Sequence, residues 1–180
     1  MRHGRRSGAA RLLLTAAMTA WPVLGGGAPP AQAATCLGQG ATITGSGGND
    51  VINGTDGNDV IAGVGGSDTI DGRGGNDVIC GDDGNDTLRG GGGDDVLQGG
   101  VGDDAAEGGD GRDSVLGGAG QDRVSGGGAD DNVSGEDGDD QVFGDDGNDS
   151  LSGGPGADRC DGGPGRDDQD GSCESRINTP

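Results

Sequence analysis

From Gly45 to Asp170 the chain repeats itself every nine residues, fourteen times, with no insertion or deletion. Glycine opens every unit, from Gly45, Gly54 and Gly63 through to Gly162, and the fourth place is glycine in thirteen of the fourteen, Ala129 being the exception. The sixth place is always aspartate: Asp50, Asp59, Asp68, Asp77, Asp86, Asp95, Asp104, Asp113, Asp122, Asp131, Asp140, Asp149, Asp158 and Asp167. A phase kept this strictly describes a stacked solenoid, whose equivalent turns each present an oxygen ligand at the same height.

The unit Gly54-Thr55-Asp56-Gly57-Asn58-Asp59-Val60-Ile61-Ala62 shows how the nine places divide. Its first six residues put glycine where a tight turn needs positive φ or close backbone approach, and Asn or Asp where a side chain can bond a local amide. The last three predict a short strand whose middle residue points inward. That eighth place is occupied by Ile52, Ile61, Ile70, Ile79, Leu88, Leu97, Ala106, Val115, Val124, Val133, Val142 and Leu151. Stacked in register, such strands form parallel sheets, and alternating turns set two sheets face to face with the eighth-place residues between them. The turns then lie ~4.8 Å apart, and the carboxylates of neighbouring coils converge with turn carbonyls. Like charges so close repel unless a cation lies between them. Oxygen donors without nitrogen or sulfur suit calcium better than magnesium, which demands octahedral geometry and holds its waters.

Charge leads to the same requirement. Four of the eleven basic residues are arginines before residue 34, unopposed by acid, which leaves seven arginines against 32 Asp and Glu, a net charge of −25. Hydrophobic residues make up 28%, and the only aromatics are Trp21 and Phe143. A chain so charged and so poor in apolar side chains does not collapse unaided. Without cations it reads as a disordered acidic segment; the same sign excludes nucleic acid and anionic membrane surfaces as partners. No EF-hand loop closing on glutamate is present. Acidic pairs are plentiful, but a general base needs a shielded cleft and a tuned pKa. Beyond residue 33 there is also no histidine to activate a serine or cysteine. No catalysis is expected. An ice-binding face would need a flat Thr or Asn ladder, which Val78, Thr87, Val96, Ala105, Ser114 and Arg123 do not make.

Residues 1–33 read as a secretory signal peptide: Arg2, Arg5, Arg6 and Arg11, an apolar stretch from Leu12 to Leu24, and Ala31-Gln32-Ala33 as the cleavage site. A membrane anchor needs about 20 continuous apolar residues, and Pro22 and the run Gly25 to Gly27 interrupt this one. Arg5-Arg6 also permits a twin-arginine reading, without the apolar positions that normally follow. The expectation is a secreted, extracellular protein with no membrane insertion. Cys36, Cys80, Cys160 and Cys173 allow three pairings, and none is spaced for zinc. If two units make one coil, Cys80 and Cys160 lie more than four coils apart at ~4.8 Å per coil, beyond the ~4.4–6.8 Å between Cα atoms that a disulfide spans. This favours Cys36–Cys80 and Cys160–Cys173, each stapling one end of the solenoid.

Two units, Gly90-Gly91-Gly92-Gly93-Asp94-Asp95-Val96-Leu97-Gln98 and Gly117-Gly118-Ala119-Gly120-Gln121-Asp122-Arg123-Val124-Ser125, match G-G-x-G-x-D-x-U-x at every fixed place. Over 126 of its 180 residues the chain thus resembles the repeats-in-toxin (RTX) family of haemolysin-type calcium-binding repeats. The resemblance implies an all-β fold, a right-handed parallel β-roll with two units per coil and calcium between the turns of units two apart. It also implies that the fourteen sixth-place aspartates and loop carbonyls, those of each unit's first residues included, ligate up to six ions per side, twelve Ca2+ in all. Departures are visible. The second place is glycine in only seven units, Arg73 and Glu136 being among the substitutes, and Cys160 and Gln169 stand at the last two eighth places. Thr42-Ile43-Thr44 falls in strand register without a sixth-place acid. The expected organisation is a leader over 1–33, an N-terminal cap over 34–44, repeats over 45–170 and a tail over 171–180. The expected function is calcium binding coupled to folding; a calcium-dependent surface or matrix scaffold or adhesion module, with an unidentified cell-surface or matrix partner, is the alternative.

Overall fold

The computed structural model describes residues 34–179; the expected leader lies outside the described residues. All regular structure among them is β. From Ile43–Thr44 onward each strand pairs in parallel with the strand two further along the chain, and up to the last, irregular pair the offset is that of Ala105↔Arg123, Ala106↔Val124 and Asp110↔Gly128. Eighteen residues therefore make one coil, two units at a time. One eight-stranded sheet runs from Val51–Asn53 to Cys173–Thr179, and the other from Ile43–Thr44 to Asp168–Gln169. This is a parallel β-roll.

The strands through the middle of the array are six residues long, not three. Arg123–Gly128 joins places seven to nine of one unit to places one to three of the next, and Gly109 pairs with Gly127 as Asp110 pairs with Gly128. Backbone groups in a stacked coil need partners, and the coil above supplies them to the glycine-rich places as readily as to the aliphatic ones. A left-handed second-place residue, Gly127 at φ 114°, bends the strand between its two halves. Only places four to six remain as turn.

The core is one thin layer. Ile52, Ile61, Ile70, Ile79, Leu88, Leu97, Ala106, Val115, Val124, Val133, Val142 and Leu151 all lie buried between the sheets, with Ile43 against them at one end and Cys160 and Cys173 at the other. Eighth-place side chains point inward from both sheets, so the row interdigitates along the whole axis.

Cys36 is bonded to Cys80 and Cys160 to Cys173, with Cα separations of 5.6 and 5.7 Å. The second bridge seals the C-terminal end of the core. The first sits on a flank, because Cys80 occupies an outward-facing ninth place. There a small antiparallel hairpin of Thr35–Cys36 and Gln39–Gly40 covers Ala62 and Cys80 on the outer surface. Closing the 13-residue separation of Cys160 and Cys173 contributes about 3 kcal/mol through the unfolded chain. Reduction in saturating calcium is expected to fray the last coil while the middle stays folded, read as faster amide exchange around Leu151 and Cys160 than around Val115. Uniform loss of protection along the array would contradict that.

Candidate metal centre

The sixth-place aspartates form two axial columns, one along each edge where the chain turns. From Asp59 to Asp158 all twelve are at most 8% exposed, while Asp50 and Asp167 at the ends are half-buried. Each column is laced by its own backbone. The N–H of Asp59 donates to Oδ1 of Asp77 at 2.8 Å, Asp104 to Asp122 at 2.8 Å and Asp140 to Asp158 at 3.0 Å. The pattern runs unbroken from Asp50, which donates to Asp68, through to Asp149, which donates to Asp167 at 3.2 Å. One carboxylate oxygen is thus committed to the neighbouring coil.

The other oxygen is not. In twelve of the fourteen, from Asp68 and Asp77 through to Asp158 and Asp167, Oδ2 is buried and accepts no hydrogen bond. A buried anionic oxygen without a donor carries a desolvation cost of several kcal/mol unless a cation or proton meets it. The space beside it is bordered by a second oxygen. A methyl group added to Gly117 would lie 2.5 Å from Asp122 Oδ2 and 2.6 Å from the carbonyl oxygen of Gly135 in the next coil. First-place glycines thus leave a small cradle walled by a carboxylate oxygen of one coil and a main-chain oxygen of the next. Among the described residues no three His, Cys, Asp or Glu side chains come together, so further donors have to be main-chain oxygens. Such an all-oxygen set of low symmetry fits calcium.

Burial shifts nine of these carboxylates upward, and the second-place Asp82 moves in the same direction for the same first cause. Burial, with a smaller contribution from neighbouring aspartates, pushes Asp104 and Asp131 up to about 7 and Asp95 and Asp122 up to about 6, against the lowering effect of the backbone N–H each accepts. Asp77, Asp86, Asp113, Asp140 and Asp149 shift in the same direction, burial again being the first cause. Exposed Asp94 and Asp130 shift the other way, each held below the ordinary carboxylate value chiefly by a backbone N–H, of Arg112 and Asn148 respectively.

Those two belong to a ladder that the sequence pattern hides. Fifth-place side chains accept from the fifth-place N–H one coil later: Asn49 from Ser67 at 2.9 Å, Asn58 from Asn76 at 2.9 Å, Asp103 from Gln121 at 2.9 Å. Asn and Asp at this place suggest bonds to local amides; the bonds instead reach eighteen residues forward. The recurrence of short acceptors at place five was the available signal. Fifth- and sixth-place side chains reach in opposite directions along the axis, so each turn is tied to the coils on both sides.

The family model of the RTX calcium-binding nonapeptide repeat, in four copies, matches residues 44–79, 53–88, 81–115, 107–142 and 134–168. The chain belongs to this family. No curated protein matches it. As an RTX repeat array it binds calcium, and the buried aspartate ladder has the donor chemistry for it. Five of its seven departures from the RTX pattern at place two keep the same backbone shape: Val64, Arg73, Asp82, Glu136 and Asp145 are all left-handed, with φ between 67° and 87°. Each costs about 1–2 kcal/mol that glycine would not.

The RTX columns predict a positional effect. Asp95→Ala removes the acceptor of the Asp77 N–H, a 2.7 Å bond, in a fully buried setting. An unpaired buried donor costs ~1–3 kcal/mol. Asp167→Ala removes only the 3.2 Å bond from Asp149 at a half-buried end. Calcium titrations followed by circular dichroism should show a larger rise in midpoint for the central change; equal shifts would argue against nearest-neighbour stacking.

Proposed function

We propose that this is a secreted, non-catalytic protein that folds on binding calcium between its stacked turns, with the sixth-place aspartates as the carboxylate ligands. The observation that carries the reading is the set of twelve buried Oδ2 atoms with no donor. A chain in this geometry without metal holds uncompensated charge along both edges, and its thin core offers little to offset it. Calcium supplies the missing partner at each gap between coils, up to six per side. Divalent ions along both edges would offset most of the net charge of −25 beyond the leader, which lowers the self-repulsion opposing compaction. Secretion fits this chemistry, because extracellular calcium modules work at ~10⁻⁴–10⁻³ M. Both disulfides fit it as well.

Titrating calcium into the chelated protein should raise strand signal sigmoidally, since every ion joins two coils and folding and binding are one process. Magnesium at equal concentration should substitute poorly. A protein that keeps its full strand signal in excess chelator at neutral pH would overturn coupled folding, and one that retains no calcium on equilibrium dialysis would overturn the calcium reading itself.

A further inference from the structure

Ser46 and Thr55, the second-place residues of the first coil, differ from all the others. The remaining twelve second-place residues are left-handed, whether glycine or not, and these two are not. In the first coil the second-place residue turns onto its own aspartate. Ser46 donates its N–H to Asp50 Oδ2 at 2.6 Å and its hydroxyl to the same oxygen at 2.8 Å. Thr55 does the same to Asp59 Oδ2, at 2.7 and 2.9 Å. Each hydroxyl oxygen also accepts from the fourth-place N–H, Gly48 at 3.3 Å and Gly57 at 3.2 Å, which closes the loop on itself. The oxygen that is orphaned in the twelve later units is fully satisfied here.

We infer that the first coil is a metal-independent cap, in which Ser46 and Thr55 take the place of calcium, and that the protein holds ten ions. This rests on the sixth-place carboxylates being the calcium ligands. The count follows from the twelve orphaned oxygens less those of Asp158 and Asp167, which lie in the last two units with no further repeat to supply the opposing carbonyl.

The chain contains its own comparison. Val64 has the branched shape of Thr55 without the hydroxyl, and it stands at the same place one unit later. It is left-handed at φ 87°, strained for a β-branched residue, and the Oδ2 of its aspartate, Asp68, is unpaired. Shape alone therefore does not close the turn; the hydroxyl does. A donor pair held within hydrogen-bond distance neutralises the demand of the carboxylate locally, and its charge is then less available to an incoming cation. The consequence is a coil that holds its shape before calcium arrives and offers the second coil a finished surface to stack on.

Native mass spectrometry of the purified protein in saturating calcium reads the count directly. Ten ions are expected for the unaltered chain, eleven for Thr55→Val, and twelve when Ser46→Gly is added. Val64→Thr should lose one, giving nine, and because it lies in the second coil it separates the hydroxyl from mere position at the end of the array. Twelve ions in the unaltered protein, or counts unmoved by Thr55→Val and Val64→Thr in variants whose circular dichroism shows the roll folded, would overturn the cap. No bound calcium in any variant would instead overturn the function on which it rests.

Discussion

Stripped of calcium and titrated from pH 8 to pH 5, the protein is expected to gain strand signal. The sign follows from the buried columns. Asp104 and Asp131 are pushed up to about 7 and Asp95 and Asp122 to about 6, from an ordinary value of 3.8, with burial as the main cause. A carboxyl whose folded-state pKa is raised binds its proton more tightly in the roll than in the unfolded chain. Its contribution to the metal-free fold is complete below 3.8 and is lost as pH rises through the window from about 6 to about 7. With the sixth-place aspartates as the calcium ligands proposed above, protons and calcium satisfy the same oxygens by different means. Apparent calcium affinity should accordingly rise with pH across that window and level off above it. Circular dichroism in calcium-depleted buffer tests the first half, and calcium midpoints at acidic and neutral pH test the second. A metal-free chain whose strand signal is flat or falls on acidification, or a midpoint indifferent to pH, would contradict the account.

Gly117→Ala should remove a central calcium site and split the array. The added methyl enters the space 2.5 Å from Asp122 Oδ2 and 2.6 Å from the Gly135 carbonyl, so it takes the volume a cation needs and forces apart two oxygens of adjoining coils. Gly117 is not left-handed, so alanine is compatible with the backbone and the effect is steric. Overpacking of this kind costs about 1–3 kcal/mol, and in a one-dimensional stack the loss falls on a single interface. Calcium-induced folding should then proceed in two steps, with at least one ion fewer at saturation. Gly92→Ala is the control: a methyl there meets nothing within 4 Å. Its titration should overlay that of the unaltered chain. Identical curves for Gly117→Ala would show that the cradle beside the first-place glycine is not where calcium binds.

Much of the roll is legible in the nine-residue phase. Ile70 and Leu88 are core because they hold the eighth place, and Asp68 and Asp86 face inward from the turn because they hold the sixth. Strand length is not legible there, because glycine carries no strand signal of its own; Gly109 and Gly127 pair only because identical backbone lies eighteen residues away. Nor does the pattern distinguish a local partner for Asn49 and Asn58 from the amides of Ser67 and Asn76 that they accept from. A short acceptor side chain can bond any amide within reach, and in a solenoid the amide one coil on is as near as the one two residues on.

The architecture is written in the nine-residue phase alone, because a strict period makes every unit face the same packing problem, and one solution repeated satisfies all of them. Net charge and apolar content, sums that no arrangement alters, are also legible there, and they are what the proposed dependence on cations is argued from. What breaks the equivalence of the units is visible only in the folded chain. Whether a carboxylate oxygen is left open depends on the backbone conformation at place two, and there Thr55 and Val64 part ways although they share a shape. Where the N-terminal segment lies depends on Cys80 facing outward, which brings the hairpin onto the flank. Periodicity carries what the units share; the ends act through contacts between coils, and the single hydroxyls that distinguish one unit from the next act within their own turn.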